Sequence, residues 1–217
     1  MSFNASKLLH IPSKGGLIIV KDELKLDAIK DISELKFSDF SFKAKHMIRG
    51  LIFCMCRNVY LYRAFYYMTM GNYGKLRRNK HEEYHCRPDD SYQYGFTEWQ
   101  ASILRRQLGK LEDYSKKNQM IFSYYDDMIQ NSLIEKPKRT DGAVCCRYPV
   151  YVKNKKDFYF KSTMLGVDLD SSHSVITCPK SFKEEWTMAT EVLNIPLYPG
   201  LNESEMKAIA NVINAIR

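Results

Sequence analysis

Apolar positions recur most regularly after Thr97. Trp99, Ile103, Gln107 with Leu108, Leu111, Tyr114, Phe122, Tyr125 and Ile129 fall at steps near three and four. That is the spacing of one buried helix face, and it predicts a single long helix. Thr97 can cap its start, and Gln100, three residues on, completes a capping-box pattern. Pro137 and Gly142 then interrupt the chain in a polar linker. Beyond it the patterns alternate. Val144–Val152 reads as a strand, Asp157–Leu165 as a helix closed by Gly166, and Val167–Leu169 as a short extended piece. Ser181–Thr190 is helical in pattern, and Ile195–Gly200 is extended and bounded by prolines. Asn202 opens a last helix, with Glu205 at N3 and Met206, Ile209, Ala210, Ile213 and Ile216 along one face. These elements predict a small α/β module with its own core. No internal repeat is visible.

The amino-terminal part is less regular. Gly15–Val20 reads as a short buried strand entered through two glycines, and Glu23–Ile32 as a helix. Residues 46–70 differ in kind. His46–Cys56 is strongly apolar apart from Arg49, and Tyr60, Tyr62, Phe65, Tyr66 and Tyr67 follow with Arg57 and Arg63 among them. One reading is a core helical hairpin. The other is a pair of helices at a membrane surface, with tyrosines at the headgroup level and arginines reaching acidic lipid.

Composition narrows the field. In 217 residues, 45% are hydrophobic and 27% charged, ordinary globular values that exclude a mainly disordered chain. No apolar run reaches the roughly 18–20 residues of a membrane-spanning helix. No signal peptide is visible at the start. Six cysteines in that setting predict reduced thiols and a cytoplasmic location, at the inner membrane surface if residues 46–70 make such a contact.

Charge and metal-ligating residues add little. The net charge of +8 is densest at Lys75–Lys80, with His81, His85 and Arg87 following. Glu82, Glu83, Asp89 and Asp90 break that patch, so it reads as a solvated connector, and no nucleic-acid partner is expected. Cys54-x-Cys56 is too tight for the usual zinc spacing, and adjacent Cys145 and Cys146 cannot readily share one ion. His81, His85 and Cys86 would suit a metal only on a helix, and Pro88 argues for a loop. No metal site is expected.

Three stretches, in order, carry a resemblance. The carboxyl-terminal one is Asn194-Ile195-Pro196-Leu197-Tyr198-Pro199-Gly200-Leu201, followed by Asn202-Glu203-Ser204-Glu205. The second is Tyr92-Gln93-Tyr94-Gly95-Phe96-Thr97-Glu98-Trp99-Gln100-Ala101. The third is Ser2-Phe3-Asn4-Ala5-Ser6-Lys7, then Gly15-Gly16. Together they resemble the DegT/StrS-type sugar aminotransferases, which are fold-type-I pyridoxal-phosphate enzymes. The first is similar to the family's "LPLYP-x-L" strand and acidic helix start, the second to the opening of its long helix, and the third to its Schiff-base lysine site.

The resemblance implies a fold class: α/β, the carboxyl-terminal part of a pyridoxal-phosphate transferase fold. Residues 1–90 would be a large-domain remnant with a helical hairpin, and residues 91–217 a small α/β domain reached through the long helix. It implies transfer of an amino group, with glutamate the expected donor, to a nucleotide-linked keto-sugar in polysaccharide synthesis. Lys7 would form the Schiff base with pyridoxal 5′-phosphate and shuttle the proton between two carbons. Ser2 would hold the cofactor phosphate, and Gln93 would reach toward it across a homodimer interface.

The pattern also departs from the family. Where the family carries Asn and then Arg, this chain has Gln93 and Gly95, and Gly95 cannot replace a guanidinium. In the family roughly half of the enzyme precedes the lysine, including the carboxylate that pairs with the pyridinium nitrogen. The expectation is therefore that the chain alone is not a competent catalyst and works with a complementing amino-terminal half, or is the remnant of a disrupted enzyme. The alternative is a non-catalytic interaction or membrane-surface module derived from the family.

Overall fold

The computed structural model describes residues 2–3, 9, 15–16, 39–55, 58, 60–61, 64, 94–138, 142–170, 179 and 181–217. The expected helix Glu23–Ile32, the end of the expected strand at 17–20 and the basic stretch Lys75–Lys80 lie outside these residues. The chain divides into two compact units. One comprises Met1–Arg77 and Cys86–Leu111, the other Arg78–His85 and Glu112–Arg217.

In the first unit, strands β1 (Ser2–Phe3) and β2 (Gly15–Gly16) pair antiparallel. Helix α1 runs from Phe40 to Met55, beginning earlier than the apolar run from His46 suggests. Its start is set by Asp39, whose Oδ1 accepts from the Phe42 N–H at 2.7 Å. Phe42, His46 and Gly50, four residues apart, form its inward face. Phe42 packs on the His46 ring at 4.2 Å and on Tyr94 at 4.5 Å between centroids. The opposite face is exposed, including Met47, Ile48 and Leu51.

Helix α2 (Glu98–Leu108) starts as the sequence predicts. The Gln100 N–H donates to Thr97 Oγ1 at 3.2 Å, and the Thr97 N–H donates to Gln100 Oε1 at 2.9 Å. The single long helix expected from Thr97 is not observed. It is interrupted at Gly109–Lys110, and α3 resumes over Leu111–Met128. Gly109 has poor helix propensity. The last turn of α2 tightens around it, with the Gly109 N–H on Arg105 O at 3.3 Å and the Lys110 N–H on Gln107 O at 3.0 Å. Leu108, assigned to the buried face by a continuous period, is the last residue of α2 and is exposed.

The second unit is built on a three-stranded antiparallel sheet, β3 (Ile134–Glu135), β4 (Tyr148–Val152) and β5 (Val192–Ile195), in that order. Central strand β4 alternates, burying Tyr148, Val150 and Val152, whereas every residue of β5 is buried. Helices α4 (Lys155–Met164), α5 (Lys183–Glu191) and α6 (Glu203–Ala215) complete the unit. Its core joins Ile121, Phe122, Tyr125 and Ile129 to Phe158 and to Met206, Ile209, Ala210 and Ile213 of α6, the face predicted for the last helix.

Two strand limits differ from the sequence reading. Strand β4 begins at Tyr148, not Val144, which is exposed. Strand β5 begins at Val192, inside a stretch whose short apolar run does not separate strand from helix tail. Pro149 fits a central strand because of its register. It faces Asn194, whose backbone N–H and C=O are both engaged by Asp170, at 2.8 and 3.0 Å. Strand β3 pairs only Tyr151 and Val152, so the donor that Pro149 lacks would have pointed past the end of β3.

Candidate active site

The lysine loop is closed at its base. Ser2 lies opposite Gly16 and Phe3 opposite Gly15, so the pairing brings together the two ends of the segment that carries Lys7. Two residues beyond Lys7, Leu9 is buried to 5% exposure and packs with Leu104 of α2, flanked by Ile103 and Leu111. Lys7 and Gln93 lie outside the described residues, as does the Ser2 side chain. The structure therefore brings Ser2 to Gly16 through the backbone and leaves the other two expected contacts unassigned. Tyr94, next to Gln93, is half-buried against Phe42. As a donor set, a primary amine and a hydroxyl in one loop suit a cofactor with an aldehyde and a phosphate.

In the second unit, the Pro196–Gly200 segment leaves β5 as a fixed turn. Tyr125 Oη donates to Pro196 O at 2.9 Å, and the Leu201 N–H donates to Tyr198 O at 3.1 Å. A Cβ at Gly200 would stand 3.3 Å from the Tyr198 ring, which keeps this turn tight. Asn202 and Glu205 then cap α6 reciprocally, each side chain accepting the other's backbone N–H at 2.9 Å. Burial raises the Tyr198 pKa, and Glu205 adds to it. Burial likewise holds Tyr125 protonated, and Tyr148 too, whose hydroxyl donates to Asp126 at 2.8 Å.

A polar cluster that sequence reasoning missed sits at one end of this sheet. Arg147 pairs with Asp170 at 3.3 Å, and Asn194 Nδ2 approaches the same carboxylate oxygen at 3.4 Å. Burial lowers the Lys155 pKa, against the opposing pull of Asp170. Local spacing carries no signal for this cluster, since Asp170 and Asn194 stand 24 residues apart in the chain. Arg147 also lines a cleft of about 240 Å³ with Lys138, Gln119, Phe122 and Cys145. Cys54, Cys145 and Cys146 form no disulfide. Among the described residues, no three His, Cys, Asp or Glu side chains gather to hold a metal. The His81, His85 and Cys86 group lies outside them.

The comparisons with known proteins identify the class. The chain belongs to the DegT/DnrJ/EryC1/StrS aminotransferase family, whose model matches residues 1–216. Enzymes of this family depend on pyridoxal phosphate. No curated protein matches the sequence. Among solved structures, S. venezuelae DesV in complex with a ketimine intermediate is 18% identical with a TM-score of 0.50, over 61% of this chain and 41% of DesV. The sugar aminotransferase CalS13 from Micromonospora echinospora is 18% identical with a TM-score of 0.48, over 58% of this chain and 38% of its own. A family aminotransferase from Brucella abortus is 18% identical with a TM-score of 0.45, over 52% of this chain and 34% of its own. These matches therefore span well under half of each neighbour. The likeness to DesV shows a mixed helix-and-sheet fold of the pyridoxal-phosphate aminotransferase kind.

Proposed function

We propose that this chain serves a pyridoxal-phosphate-dependent aminotransferase that delivers the amino group of glutamate to a nucleotide-linked keto-sugar for polysaccharide synthesis. The observation that carries the reading is the closed loop: Ser2–Phe3 paired with Gly15–Gly16, and Leu9 buried against Leu104 just beyond Lys7. A reactive lysine needs a loop fixed at both sides, because a misplaced amine loses the geometry of attack. Family membership over residues 1–216 supports the same reading.

In this reading the Lys7 Nζ is the group that holds the cofactor and then moves a proton between two carbons. To accept that proton it must spend time uncharged, which desolvation or a neighbouring cation promotes. When bound, the cofactor supplies the electron sink that makes a carbon–hydrogen bond next to nitrogen acidic. The Ser2 hydroxyl donates to the phosphate. The Gln93 carboxamide does so from the partner of a homodimer, with a longer reach than asparagine and without help from a guanidinium at Gly95. Residues 1–90 form the cofactor-bearing part, and residues 91–217 the small domain together with the helical connection that leads into it, α2 included.

The test is amino transfer by protein isolated from its native cells, with any partner retained. It is given ¹⁵N-glutamate and a panel of keto-sugar nucleotides. The reading expects ¹⁵N in an aminosugar nucleotide, and loss of that label in Lys7→Ala. Absence of label from every sugar, with pyridoxal phosphate added, would overturn it.

A further inference from the structure

We propose that helix α1 docks in the plane of an anionic lipid surface. Its inward face is accounted for by Phe42, His46 and Gly50, yet Met47, Ile48, Leu51, Ile52 and Met55 are exposed at 52, 57, 63, 43 and 57%. Phe40, at the helix start, is 87% exposed. At about 100° per residue these six side chains span an arc of roughly 140° on the outward side, which also holds Ser41 and Ala44. A stripe of that size is unusual on a surface that meets only water.

The charges at its borders identify the occupant. Lys43 falls just outside one edge of the arc, beside Met47, and Lys45 just outside the other, beside Ile52. Both lysines are exposed, and α1 contains no carboxylate. Cations along both margins of an apolar stripe are the pattern of an interfacial helix: the stripe enters the acyl boundary and the ammonium groups stay at headgroup phosphates. A parallel second copy of this helix would bring lysines against lysines, which disfavours that pairing. The depth of insertion is bounded by length. The sixteen residues of α1 extend about 24 Å, short of the roughly 30 Å hydrocarbon core. No helix among the described residues is long and apolar enough to cross a membrane, so α1 lies along the surface.

The test uses the full chain and flotation with vesicles of phosphatidylcholine alone or mixed with phosphatidylglycerol. The proposal expects flotation with the anionic vesicles at low salt, weakened by high salt and weaker still with phosphatidylcholine alone. Ile48→Gln with Leu51→Gln should lower partitioning by about tenfold or more, because two inserted side chains are lost. Lys43→Glu with Lys45→Glu should abolish the preference for anionic vesicles. All four positions are exposed, and circular dichroism checks that the fold is kept. Failure of the wild-type chain to float overturns the proposal. So does flotation that the glutamine pair leaves unchanged, or a wild-type dimer that the same pair dissociates while lipid binding is absent.

Discussion

The Tyr125 hydroxyl donates a 2.9 Å hydrogen bond to the carbonyl oxygen of Pro196, 71 residues further along the chain. Tyr125 is fully buried on α3, and Pro196 begins the turn that leads from β5 to α6. One bond thus fixes the exit of a core strand to the helix that fills the other side of the core. Tyr125→Phe keeps the ring packing, including the edge contact with Tyr148 at 5.4 Å, and removes only the donor. Urea unfolding should show a loss of about 1 kcal/mol, with the m-value unchanged. No loss would mean that the carbonyl has another donor in the folded protein.

Gly166 closes α4 with φ +93, and a Cβ built there meets nothing within 4 Å. The cost of a side chain at this position is therefore one of backbone conformation alone. Gly166→Ala should destabilise by about 1 kcal/mol, and Gly166→Asn by less, since asparagine tolerates the left-handed region. Equal losses in thermal unfolding would point to packing and contradict this account.

Alkaline pH should expose the buried phenols. The folded-state pKa values of Tyr125 and Tyr148 are raised by burial, that of Tyr148 also by its bond to Asp126. Unfolded tyrosine ionises near pH 10, so below about that pH both states keep the proton and stability is constant. Above it the unfolded chain loses protons first, and stability falls as pH rises. Lys155, with its pKa lowered, acts with the opposite sign as pH approaches that of an unfolded lysine. Comparing the wild type with Tyr148→Phe isolates the phenol. The variant should show a shallower fall of unfolding free energy between about pH 10 and about pH 12. An unchanged slope would contradict the assignment.

Legibility in the sequence followed the strength of local signals. The capping boxes at Thr97–Gln100 and Asn202–Glu205 are observed with both reciprocal bonds, because their geometry is fixed within four residues. The apolar face of α6 is equally local, and all five of its predicted positions are buried, the last of them, Ile216, at the C-cap. The break at Gly109 was hidden because the apolar period continues across it almost in phase. Strand β3 is two residues long and exists through its pairing with β4, a tertiary fact with no periodic trace. Arg147, Asp170 and Asn194 meet only because Asp170 bridges to β5, so their cluster could not be read from spacing.

The proposed site was read from a different kind of signal. Ser2, Lys7 and the Gly15–Gly16 pair were singled out by a resemblance of ordered motifs, and the pairing of β1 with β2 is the part of that site the structure describes. The outward face of α1 was legible as an apolar run, but its sidedness was not. Only the burial of His46 and Gly50, with Phe42 half-buried beside them, shows which way it turns.

The central claim is that Lys7 is the amine that carries pyridoxal phosphate, and covalent trapping tests it most directly. Protein isolated from its native cells is incubated with pyridoxal phosphate, reduced with borohydride, digested and mapped by mass spectrometry. The account predicts one dominant phosphopyridoxyl modification, on Lys7, that disappears in Lys7→Ala. Label spread evenly over exposed lysines such as Lys43, Lys45 and Lys116, with Lys7 unmodified, would contradict it.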